Sequence, residues 1–170
     1  MLQIKRLLPI LLIILSCHAF GQASLPKAFG VGLEIGIPSN SVYTVGLGGS
    51  GKAEVPVAGP VSITVTAGYT SLYFKTSLVG GASKQSAAGF APLKAGIKYF
   101  FSPGVYAEGE AGNVFETNYR KDNLFVFALG PGFAVPSGEH SSIDVGFRYE
   151  NWGGGRIRQT AIRVAYRIGW

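Results

Sequence analysis

The sequence predicts an all-β fold: an eight-stranded antiparallel up-and-down transmembrane β-barrel. Three observations carry that expectation. Apolar and polar residues alternate with period 2 through eight segments, the signature of strands with two unlike faces. Most of these segments exceed the about 5–6 residues of a typical globular strand and reach the about 9–11 that a tilted strand needs to cross a bilayer. Short, turn-rich connections alternate along the chain with longer polar ones, the loop asymmetry of bacterial barrels.

Composition agrees. Charged residues make up 14% of the 170, well below the roughly 25% of an average soluble domain. Gly is abundant at 25 residues, beside 11 Phe, 8 Tyr and 2 Trp. Such aromatic content excludes a disordered chain. Residues 1–21 read as a secretory signal peptide: basic Lys5 and Arg6, an apolar run from Leu7 to Leu15, then SCHAFG with small Ala19 and Gly21 before Gln22. The apolar run is too short to span a bilayer as a helix. Cys17, the sole cysteine, sits in a poor lipobox match and is either lipidated or removed with this segment. Residues 22–170 form the barrel domain; without Cys17 they carry no disulfide and no thiol nucleophile. The net charge of +6 falls to +4 once Lys5 and Arg6 are set aside, too modest and too dispersed for a nucleic-acid surface.

In order, the strands are expected at Phe29–Ile37, Val42–Val57, Val61–Phe74, Ala88–Phe101, Val105–Thr117, Leu124–Val135, Ser142–Asn151 and Arg158–Trp170. Short turns fall at Ala58–Pro60, Ser102–Gly104 and Pro136–His140, and face the periplasm in a bacterial barrel. Between them lie Pro38–Ser41, Lys75–Ala87, Asn118–Asn123 and Trp152–Ile157. The last strand alternates most cleanly: Ile162, Val164, Tyr166, Ile168 and Trp170 share one face, and Ala161, Arg163, Ala165, Arg167 and Gly169 the other. The fifth fits worst, because Val105, Ala107, Gly109, Ala111, Asn113 and Phe115 make a barely apolar face; a bulge or a close backbone contact is expected there.

Small and charged residues on the second face suit a narrow interior, so the apolar face is expected outward, in lipid. Tyr43, Tyr99, Phe101, Tyr149, Trp152 and Trp170 at strand ends are expected to form interfacial girdles. The polar face then carries six acids, Glu34, Glu54, Glu108, Glu110, Asp144 and Glu150, and six bases, Lys52, Lys94, Lys98, Arg148, Arg163 and Arg167. Unpaired charges in so narrow a space are prohibitive, whereas paired ones are tolerable. The equal counts point to a plugged, charge-paired lumen.

These segments, VGLEIGIP, PLKAGIKYFFSPGVYAEGEAG, DVGFRYENW and RVAYRIGW, together with AFGQ at the leader's end, resemble the small outer-membrane β-barrel domain family of Gram-negative bacteria. The resemblance implies a porin-like barrel similar to the outer-membrane protein A transmembrane domain, located in the cell outer membrane. It also implies insertion by the barrel-assembly machinery, with Tyr166, Ile168 and Trp170 at the positions of the terminal recognition signal.

Chemistry is sparse. His140 and Ser142 have the spacing of a lipid-deacylase pair, with Glu150 as the candidate orienting acid, but His140 falls in a short turn and Glu150 near the far end of its strand. No cofactor or metal motif is present. Lys75, Lys84, Arg120, Lys121, Arg156 and Arg158 make the long loops basic, a candidate contact with lipopolysaccharide. The expected protein is a non-enzymatic monomer with a structural or cell-surface interaction role. A narrow solute channel, a lipid-modifying barrel and a soluble lipocalin-like barrel are the alternatives.

Overall fold

The computed structural model describes residues 25–39, 41–75 and 86–170. The leader, Cys17 and Lys84 lie outside the described residues. Eight strands follow one another: β1 (Ala28–Ser39), β2 (Tyr43–Ala58), β3 (Val61–Phe74), β4 (Ala88–Ser102), β5 (Val105–Glu116), β6 (Asn123–Pro136), β7 (Ser141–Trp152) and β8 (Ile157–Gly169). Every boundary falls within two residues of its expected position.

Each strand pairs antiparallel with the next, and β8 returns to β1 from Ala28↔Gly169 to Ser39↔Arg158. Closure removes the unpaired edges that an open sheet of this length would leave. The connections after β2, β4 and β6 lie at one end of the barrel with the start of β1 and the end of β8; those after β1, β3, β5 and β7 lie at the other, and the connection after β3 is the longest. In the β4–β5 turn, Pro103 is followed by Gly104 at φ 83°, a backbone angle that favours glycine.

The alternation resolves into an apolar outside and a polar inside. Leu33, Ile37, Phe125 and Leu129 stand exposed on the outer surface, while Lys52, Lys94, Lys98 and Glu150 are buried. Against β6 the register of the fifth strand runs unbroken from Val105↔Phe133 to Phe115↔Asn123; against β4 it shifts once, between Phe100↔Tyr106 and Ser102↔Val105, with the extra residue, Phe101, on β4. The small outward residues of the fifth strand lie beside large neighbours, Asn113 by Phe125, Ala111 by Phe127 and Gly109 by Leu129. The expected close backbone contact concerns its inward Gly112, where a Cβ would collide with the backbone of Leu93 and Lys94.

Two of the six girdle assignments are corrected. Trp152 shares its parity with the inward Glu150, so its ring points into the barrel and is buried. Tyr43 has an outward parity, but a register shift between Tyr43 and Val45 turns it inward beside Phe74, with ring centroids 4.8 Å apart. Phe101, Tyr149 and Trp170 are exposed, and Tyr99 packs against Phe101 at 5.0 Å.

Candidate functional site: the barrel interior

The structure brings all twelve charged residues of the polar face together. They form one unbranched path in which acid and base alternate. From one end, Lys52 lies 2.5 Å from Glu108 and 3.4 Å from Glu110. Lys94 then bridges Glu110 at 2.8 Å and Glu150 at 3.0 Å. Arg148 follows, 2.6 Å from Glu150 and 2.5 Å from Glu34. Arg163 joins Glu34 and Asp144 more loosely, at 3.6 and 3.8 Å. Lys98 links Asp144 at 3.1 Å to Glu54 at 2.7 Å, and Arg167 closes the series 3.0 Å from Glu54.

These residues come from β1, β2, β4, β5, β7 and β8, so the path ties opposite walls of the cylinder together. β3 contributes hydroxyls: Thr64 donates to Glu108 at 2.9 Å and Thr66 to Glu110 at 2.6 Å. Ser50 on β2 donates to Glu34 and accepts from Arg163. β6 contributes space. A Cβ on Gly132 would run into the Tyr106 ring, so glycine there lets that ring lie across the lumen. Tyr106 uses the position twice: its hydroxyl donates to Asp144 at 2.8 Å, and its face lies 3.9 Å from the Lys98 ammonium. Each carboxylate thereby receives donors that offset part of its desolvation.

Toward the loop end the chemistry changes. Leu72, Ala88, Phe90, Val114, Leu124, Val126, Trp152 and Ile157 form a buried apolar cluster inside the barrel, with Tyr43 and Phe74 packed against it. Phe90 and Trp152 meet nearly edge-on at 5.4 Å. Sequence reasoning missed this cluster, although its signal was present: each member continues the inward parity of charged residues on the same strand or its paired neighbour. Glu150 joins the two zones. It accepts from Lys94 and Arg148, and also from Trp152 Nε1 at 3.0 Å and Gln159 Nε2 at 2.6 Å.

The residues weighed for hydrolysis are not brought together. His140 is exposed in the β6–β7 turn, Ser142 is buried at the start of β7, and Glu150 lies eight positions further along the same strand. At ~3.3 Å per residue that is roughly 26 Å. Among the described residues, no three His, Cys, Asp or Glu side chains are grouped to hold a metal ion.

The basic loop residues cluster at the loop end. Arg120, Lys121, Arg156 and Arg158 are exposed, Lys75 is half-buried, and Arg156 pairs with Asp122 at 2.9 Å. Tyr166, Ile168 and Trp170 stand exposed on the outer surface, the first two within β8 at its seam with β1.

Comparison with solved structures places this architecture. The crystal structure of the attachment invasion locus protein Ail of Yersinia pestis superposes with a TM-score of 0.57, covering 85% of this chain and 99% of that one at 12% identity. The fold is that of the small transmembrane β-barrels. OprG of Pseudomonas aeruginosa matches with a TM-score of 0.52 over 87% of this chain and 96% of its own, at 14% identity. A de novo designed transmembrane β-barrel matches at 0.51 over 84% and 97%, at 17% identity. No family model and no curated protein sequence matches the chain.

Proposed function

We propose that the chain is an integral outer-membrane protein with a closed lumen, a structural or cell-surface interaction role and no catalytic activity. The observation that carries the reading is the inversion of its two faces. Val31, Leu33, Ile35 and Ile37 on β1, and Ile162, Val164, Tyr166 and Ile168 on the neighbouring β8, form one continuous exposed apolar surface. Soluble monomers rarely expose apolar patches beyond a few hundred Å². A lipid bilayer solvates that surface, and a closed ring of strands satisfies the backbone within it.

The closed lumen rests on the ionic path across the barrel's middle and on the apolar cluster above it. An eight-stranded barrel is just wide enough for its own side chains, and here those side chains meet each other. The fold itself assigns no role, since it is shared by an attachment protein and by designed barrels. The basic loop end supports contact with anionic lipopolysaccharide through Lys75, Lys84, Arg120, Lys121, Arg156 and Arg158. Tyr166, Ile168 and Trp170 are read as the signal for the barrel-assembly machinery.

The decisive test is solubility. The purified barrel should require detergent and should migrate differently on gels before and after boiling. A monodisperse protein in plain buffer would place the apolar face elsewhere and end the membrane reading. Reversing the charges of Arg120, Lys121 and Arg156 together should reduce lipopolysaccharide carried through purification; unchanged retention removes that contact.

A further inference from the structure

A cavity of about 380 Å³ opens at the loop end of the barrel, above the apolar cluster. That is within the roughly 300–1,000 Å³ of small-molecule sites. Its apolar walls are half aromatic and half aliphatic, built from Val42, Tyr43, Phe74, Phe90, Leu124 and Ile157. Trp152 packs behind Phe90 and closes the space toward the lumen. The register shift that turns Tyr43 inward creates part of this wall.

The rim is charged. Arg120, Arg156 and Glu116 line the cavity beside Tyr119. Arg156 shares its charge with Asp122, whereas Arg120 has no ion-pair partner among the described residues. Its backbone is not left to wander. The β5–β6 loop is pinned by Tyr119 Oη donating to Ser86 O at 2.6 Å, Gly89 N to Asn118 Oδ1 at 2.8 Å, and Glu116 N to Asp122 O at 2.8 Å. Tyr119 and Lys121, on either side of Arg120, hold left-handed backbone angles of φ 58° and 55°. Non-glycine residues adopt that region at a cost, and such strain persists only where surrounding contacts over-determine it.

We propose that this vestibule binds a small amphipathic organic anion, its apolar body against Tyr43, Phe74 and Phe90 and its carboxylate or sulfonate facing Arg120 and Arg156. Glu116 restricts the choice, because a carboxylate in the same cavity repels a second anionic charge on the ligand. A monoanion is therefore preferred over a dianion. The site does not depend on whether the lumen below conducts.

The test uses three naphthalene probes of nearly equal shape: 2-naphthoate, 2-naphthamide and 2-naphthylmethylammonium. Each is titrated calorimetrically into the purified barrel in nanodiscs of zwitterionic lipid, with empty nanodiscs as the partition control. Naphthoate should bind saturably and exceed naphthamide by about tenfold in affinity, as expected for one charge-assisted contact. Arg120→Gln should abolish that preference, Glu116→Gln should tighten naphthoate, and Phe74→Ala should weaken both naphthoate and naphthamide. Equal binding of naphthoate and naphthamide, preference for the ammonium, or a titration matching empty nanodiscs would each overturn the proposal. Arg120 and Glu116 lie at the rim, so their variants keep the test valid should Phe74→Ala fail to fold.

Discussion

The middle of the barrel and its loop end fill the same narrow cylinder by opposite means. Across the middle, twelve charged side chains are satisfied chiefly by each other, with a few hydroxyls, the Trp152 and Gln159 N–H groups at Glu150 and the Gly30 carbonyl at Arg163. At the loop end, Phe90, Trp152, Leu72 and Val126 fill the space by packing. The difference lies in how each zone tolerates loss. A buried ion pair adds little net stability when made but costs several kcal/mol when one partner is removed, because the other is stranded. An apolar contact is lost in proportion to the volume deleted. The charged zone is therefore expected to be brittle and the apolar zone graded.

The largest effect should come from Glu150, which holds four donors where the zones meet. Glu150→Ala cuts the path in two, takes one of two acid partners from both Lys94 and Arg148, leaves one buried positive charge uncompensated, and should cost about 3–5 kcal/mol in reversible urea unfolding from detergent micelles. Leu72→Ala, in the apolar zone, should cost about 2–4 kcal/mol by the same measurement, and Leu72→Val clearly less. Arg167→Met removes the last link of the path, where Glu54 keeps Lys98, and should cost about 1–2 kcal/mol. Arg156→Gln breaks an exposed pair with Asp122 and should change stability by less than about 0.5 kcal/mol. If Leu72→Ala exceeded Glu150→Ala, or if Arg167→Met matched Glu150→Ala, the distinction between a brittle and a graded zone would fail.

How far the sequence showed these zones follows from their chemistry. Charges stand out against an alternating background, so Lys94, Lys98, Asp144, Arg148, Arg163 and Arg167 mark the inner face by themselves. Pairings are another matter. Glu34 and Arg148 are 114 positions apart in the chain, and Lys52 and Glu108 are 56 apart. Only the closed ring and its register bring them together. The apolar zone is hidden where both faces are apolar. In Leu124–Leu129 of β6, inward Leu124, Val126 and Ala128 read like outward Phe125, Phe127 and Leu129. Trp152, an aromatic at a strand end, reads like an interfacial residue, and Tyr43 is concealed by a shift of register that no residue type announces. Carrying the parity of Asp144, Arg148 and Glu150 two residues further would have placed Trp152 inside.

Ionic conductance tests the central claim of a closed lumen most directly. The purified barrel should be reconstituted into planar bilayers, with insertion verified by liposome flotation, and compared with Glu150→Ala. The account expects no stepwise current from the wild-type protein at moderate voltage, because charged path and apolar cluster together leave ions no continuous aqueous route. Steady ohmic steps from inserted wild-type protein, at the same level as the variant, would contradict it.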